Sequence, residues 1–188
     1  VAEWAAKRVL NMPDSNERAW KPNLPVPVRS TEELLGSYRF LKALTYPRGS
    51  VHILGIHPPD EGDKVIGTRD LVTAFSRDGI FSRVALLEDD DYAQGLRLGM
   101  ETLHGAFFSP NALFLTLHDD TDETDLQRIL ARARKRETGA VLFMQHPTAS
   151  LGREQTINVW IRDQSPEWEV SMRLSRLDLS LLLAYQIT

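Results

Sequence analysis

The sequence predicts an α/β fold, a doubly wound parallel sheet with helices on both faces. Three observations lead there. Short strands that are apolar along nearly their whole length recur, as they do when a parallel sheet is covered on both faces. Amphipathic helical segments separate them. Helix and strand alternate four times between residues 30 and 144, and right-handed crossovers then place helices on the two faces in turn.

The elements follow in order. Ala2 to Leu10 has short helical character, with Trp4, Val9 and Leu10 as its apolar residues, and is too short to stand alone in water. Met12 to Pro27 carries Pro13, Pro22, Pro25 and Pro27, which exclude a helix interior. It reads as a connector ending in a short extended piece around Val26 and Val28. Ser30 or Thr31 caps the first helix, whose first turn holds Glu32 and Glu33. Leu34, Tyr38, Leu41 and Leu44 form its apolar face, and Tyr46-Pro47-Arg48-Gly49 stops it before the strand Val51 to Ile56.

The second cycle starts at Thr68 as a cap, carries Leu71, Val72 and Phe75, and ends in the strand Val84 to Leu87. The third has Tyr92, Leu96, Met100, Leu103 and Phe107 on its helix and Ala112 to Leu115 as its strand. The fourth helix, after Thr124, has an acidic start and a basic end, as the helix dipole favours. Gly139 closes it before Ala140 to Met144. The strands near Val51, Val84, Leu113 and Val141 are expected in one parallel sheet. Beyond Pro147 a polar loop leads to the strand Ile157 to Ile161, a turn at Gln164-Ser165-Pro166 and a helix lined by Leu174, Leu177, Leu181 and Tyr185. That helix has no strand after it, so the reading is a second α/β unit that stops partway.

Composition narrows the function. The 188 residues are 42% hydrophobic and 26% charged, ordinary for a globular protein, and the formal charge of -4 argues against a general nucleic-acid binder. The same charge argues against attachment to anionic lipid by electrostatics alone. With no cysteine there is no disulfide, thiolate nucleophile or cysteine metal site. No apolar run approaches the roughly 20 residues of a membrane span.

No motif carries chemistry with any specificity. Neither G-x-x-x-x-G-K-[ST] nor G-x-G-x-x-G follows a strand. The loops His57-Pro58-Pro59 and His146 to Gly152 have too few glycines to wrap a phosphate. The acidic run Glu88 to Asp91 sits at a strand's carboxyl edge, where hard cations could find oxygens, but its last acid is better placed to cap the helix starting near Tyr92. His57, His118 and His146 each follow a strand and would converge if their side chains met on one edge. No G-x-S-x-G elbow or H-E-x-x-H helix accompanies them. Trp160 and Trp168 fit core or interface anchors better than ligand platforms, and Arg132 to Arg136 fits a solvated helix end.

Two blocks resemble the carboxyl-terminal cytosolic domain of prokaryotic cation-chloride cotransporters. One is Leu34 to Val51, a helix, a Tyr-Pro-basic-Gly turn and a strand. The other is Ile157-Asn158-Val159-Trp160 with the leucine-rich Leu177 to Tyr185. The resemblance implies a transporter of the amino acid-polyamine-cation superfamily that moves chloride with sodium or potassium, with its ion sites in membrane helices this chain lacks. It implies a fold like universal stress proteins, two such subdomains and a homodimer at the cytoplasmic face of the cell membrane. Residues 1–25 would then be the connector from the membrane domain, 26–155 a universal-stress-like subdomain and 156–188 the start of a second, truncated one. Its partner would be its own transport domain, with Trp160, Leu177, Leu181 and Tyr185 as dimer or inter-subdomain contacts. The Pro147 to Gly152 loop departs from the glycine-rich loop of nucleotide-binding stress proteins, so no cofactor and no nucleotide is expected. No phosphorylation site of eukaryotic relatives can be placed here. The competing readings are a free-standing universal-stress-like nucleotide binder and a small doubly wound enzyme built on the histidine edge. A regulatory, non-catalytic domain fits the sequence best.

Overall fold

The computed structural model describes residues 21–104, 109–146, 148, 151, 156–158 and 178–187. The chain runs β1 (Asn23–Val28), α1 (Thr31–Thr45), β2 (Ser50–His57), α2 (Asp63–Ile66), α3 (Thr68–Arg77) and β3 (Phe81–Glu88). It continues with α4 (Tyr92–His104), β4 (Ala112–Leu117), α5 (Glu123–Lys135), β5 (Gly139–Met144) and α6 (Asp178–Ile187). The expected helix at residues 2–10, Phe107, Trp160, Trp168, Leu174 and Leu177 lie outside the described residues, as does most of the strand expected at 157–161.

All paired strands are parallel, but they form two hydrogen-bonded ladders rather than one sheet: β1-β2-β3 and β4-β5. The ladders lie side by side where β1 neighbours β4, giving the spatial order β3-β2-β1-β4-β5. The break has a cause in the sequence. The Asn111 N–H donates to the Asn23 carbonyl at 3.2 Å, so the odd-numbered residues of β1 present their backbone groups to β4. Pro25 and Pro27 share that edge and have no N–H to give. The even-numbered residues face β2, and that ladder runs the full length of β1.

The proline-marked connector is thus corrected at its end: Asn23–Val28 is the central strand, and Leu24, Val26 and Val28 are fully buried. Proline is tolerated there because the missing donors fall on the seam between ladders.

Two cores flank the sheet. Leu34, Leu41 and Leu44 of α1 and Phe75 of α3 pack with Leu24, Val51, Phe114 and Phe143 on one face. Leu179, Leu183 and Ile187 of α6 join that face, and the Gln186 amide donates to the Tyr46 carbonyl at 2.7 Å. On the other face Leu96 and Met100 of α4 and Ile129 of α5 cover Leu54, Ile56, Leu113 and Leu115. Each fully buried leucine contributes about 1.5–3 kcal/mol. Helix α4 gets close to β2 because Gly95 and Gly99 face it: a Cβ on either would lie 2.7 Å from Ile56 Cγ2 or 2.8 Å from Leu54 Cδ1. The doubly wound α/β fold is therefore the one the alternation predicts.

Three local expectations shift. Gly67, not Thr68, is the cap position of α3; the Thr68 hydroxyl lies inside the helix and donates to the Val65 carbonyl at 2.6 Å. Asp122 caps α5, accepting from the Asp125 N–H at 2.9 Å. The left-handed turn that ends α5 falls on Glu137, at φ 53°, and Gly139 already belongs to β5.

Candidate functional site at the carboxyl edge

In this strand order the direction of winding reverses between β1 and β4, and there the loops after the two strands part to leave a crevice at the carboxyl edge. Beside it Ser30 accepts the Glu33 N–H at 3.3 Å and turns the chain into α1. This Ser-x-x-Glu spacing is that of a capping box, and it aims the Glu33 carboxylate back across the seam. One oxygen accepts the Arg29 N–H at 2.7 Å, and the other lies 3.4 Å from His118 Nε2, on the loop after β4. Glu33 thus links the two ladders at the carboxyl edge. Burial raises its pKa, opposed by the Arg29 N–H and by His118.

The Arg29 guanidinium sits 4.2 Å from the centre of the Tyr92 ring, a cation-π contact that fixes its direction. Burial, with the nearby Glu33 charge, keeps the Tyr92 phenol protonated well beyond its ordinary range. Arg29 and Tyr92 line the crevice, of about 560 Å³, which is walled by Glu61, Asp89, Asp90, Asp91 and Asp125, with Arg29 and Arg128 as its cations. Arg128 bridges Asp91 at 3.6 Å and Asp125 at 2.9 Å, and Lys64 holds Glu61 at 2.6 Å.

The acidic run resolves into local roles. Asp91 accepts the Gln94 N–H at 3.1 Å and caps α4, as expected, and Asp89 accepts the Asp91 N–H at 2.9 Å. Among the described residues no group of three or more His, Asp or Glu side chains is placed to hold a metal ion. The three histidines follow strands but do not form one constellation. His57 is buried and its Nδ1 is 2.7 Å from the Pro58 carbonyl, His118 faces Glu33, and the His146 ring accepts the Thr148 N–H at 3.3 Å. His57 ends β2 and His118 follows β4, with β1 between the two strands, so roughly two strand spacings of about 4.8 Å separate them. Arg29, Tyr92 and Arg128, which line the crevice, and Glu33 beside them were not singled out as site residues in the sequence. The capping-box spacing Ser30 to Glu33 was the one signal that could have flagged them.

Of the expected contact residues, Leu181 and Tyr185 lie on the outward side of α6, opposite Leu179, Leu183 and Ile187, and both are exposed.

A family model for the first part of the C-terminal domain of prokaryotic cation-chloride cotransporters matches residues 26–151, and one for the second part matches residues 152–188. The chain belongs to this family. A solved structure, the crystal structure of the cytoplasmic domain of a prokaryotic cation chloride cotransporter, is 37% identical with a TM-score of 0.77. The alignment covers 89% of this chain and 62% of that one, so the cotransporter chain spans about three fifths of its relative's length. No curated protein gives a match. Among the described residues of the cotransporter domain, no helix is long and apolar enough to cross a membrane.

Proposed function

We propose that this domain is a non-catalytic, cytosolic regulatory and dimerisation module of a secondary transporter that moves chloride together with sodium and/or potassium. Its partners are its own transport domain and a second copy of itself. Residues 1–25 serve as the connector, 26–155 as the α/β unit and 156–188 as the start of a second unit. The observation that supports the non-enzymatic, nucleotide-free reading is the crevice at the switch point. Doubly wound proteins seat phosphates there on backbone N–H groups at a helix N-terminus. Here five carboxylates wall the crevice, Arg29 is stacked on Tyr92, and Arg128 is bridged to Asp91 and Asp125. A triphosphate would meet its own sign of charge. The exposed Leu181 and Tyr185 on α6 support pairing through that helix, and tethering to a membrane protein would raise the effective concentration of even a weak contact.

Calorimetry with magnesium-ATP tests the reading: no heat of binding is expected at micromolar nucleotide. A micromolar Kd would overturn it and favour the free-standing nucleotide binder.

A further inference from the structure

The two helices on the second face do not close over the sheet along their whole length. Helices α4 and α5 both start at the carboxyl edge and run to the amino edge. They are tied at each end by ion pairs. Arg128 joins Asp91 to Asp125 at the carboxyl edge, and toward the amino edge Glu101 Oε1 pairs with Arg97 Nη1 at 3.3 Å and Arg136 Nη2 at 3.7 Å. Between the ties is a cleft of about 460 Å³. Small residues on both helices, Ala93 in the first turn of α4 and Ala133 in the last turn of α5, line it together with Leu96, Leu113 and Ile129. Its lining carries Arg97, Arg132, Lys135 and Arg136 and, among the described residues, one carboxylate, Glu101. That is a concentrated positive patch on a chain whose formal charge is -4.

We propose that this cleft is a binding site for a small amphiphilic organic anion. The apolar body lies along Leu96, Met100 and Ile129, and the carboxylate or phosphate head is held by Arg97, Arg132 and Arg136. The volume falls in the range of about 300–1,000 Å³ that ligand pockets occupy, and an apolar floor with a few convergent charged groups is their usual composition. The lining sets cations beside an apolar floor, so the cleft matches a molecule with one charged group on an apolar body. A head group forms charge-assisted bonds to the guanidiniums and must displace Glu101 from Arg97 and Arg136. Glu101 is therefore a competitor, and its removal strengthens binding.

The test uses decanoate below its micelle threshold, with decanol as the uncharged control, and reads amide shifts along α4 and α5. Decanoate binds with a Kd of about 1 mM or lower, decanol at least tenfold more weakly. Glu101→Gln tightens decanoate several-fold without changing decanol. Ala133→Leu, which fills the cleft, weakens both at least tenfold while the thermal unfolding midpoint by circular dichroism holds. If Ala133→Leu fails to fold, the surface pair Arg132→Gln with Arg136→Gln weakens decanoate alone by tenfold or more. Equal binding of decanoate and decanol, or no effect of Glu101→Gln, overturns the proposal. So does a dimer in sedimentation that Ala133→Leu dissociates while decanoate fails to bind, since a second copy would then occupy the cleft.

Discussion

Asn111→Ala should open the seam between the two ladders at its amino edge. Two prolines deny β4 the donors of a regular ladder with β1, and a knot of asparagine contacts stands in for them. Asn111 Oδ1 accepts the Asn23 N–H at 2.9 Å, and Asn111 Nδ2 donates to the Lys21 carbonyl at 2.6 Å. Asn23 in turn accepts from Ser50 Oγ at 2.9 Å, so the knot reaches β2. Alanine leaves the partly buried Asn23 N–H without an acceptor, which costs about 1–2 kcal/mol, and the exposed bond to Lys21 adds about 0.5 kcal/mol. The expected loss is about 2 kcal/mol. For a chain of this size that is a fall of roughly 4–8 °C in the thermal midpoint. Urea unfolding followed by circular dichroism measures it. Asn111→Asp keeps the acceptor for Asn23 and should retain about three quarters of the stability lost by alanine. An alanine effect under about 0.5 kcal/mol, within the usual range of surface substitutions, would refute the seam argument. An aspartate as damaging as alanine would show that the Lys21 bond, not the Asn23 bond, carries the effect.

The other tests concern charge and association. Burial raises the folded pKa of Glu33 above its ordinary 4.5, so the folded state holds that proton more tightly than the unfolded chain. Stability then falls as pH rises from 4.5 through the folded pKa. Glu33→Gln keeps an acceptor for the Arg29 N–H, so its stability relative to wild type should grow with pH across that window and then level off; a constant difference in paired urea titrations would contradict this. Leu181 faces outward on α6 and is 43% exposed, so Leu181→Glu should leave the circular dichroism spectrum intact. It should shift sedimentation from dimer to monomer at tens of micromolar, and a wild type already monomeric there would remove α6 as a self-contained interface.

Much of the fold was legible because each element carries its own signal. The 3.6-residue apolar face Leu34, Tyr38, Leu41 and Leu44 specifies a helix wherever it packs. The mostly apolar run Val51 to Ile56, which lies in a strand buried at every position, specifies an interior parallel strand by the same local logic. Asp91 was readable as a cap because capping involves residues three apart.

The contributions that only the tertiary structure decided come from residues far apart in the chain. Asn23–Val28 looked like a connector because prolines weaken a strand in isolation; it became central because the edge its prolines spoil is the one where two ladders meet. Glu33 reads as a favourable first-turn acid, and it becomes a buried link only when β4 brings His118 beside it, 85 residues later in the chain. The three histidines show the converse. Each follows a strand, as the sequence says, yet strand order separates their side chains, since sequence order states which strands exist and not which are neighbours. The outward turn of Leu181 and Tyr185 has the same origin. A leucine-rich helix offers more than one apolar stripe, and the stripe that is buried, Leu179, Leu183 and Ile187, is chosen by the surface it meets on α1 and β5.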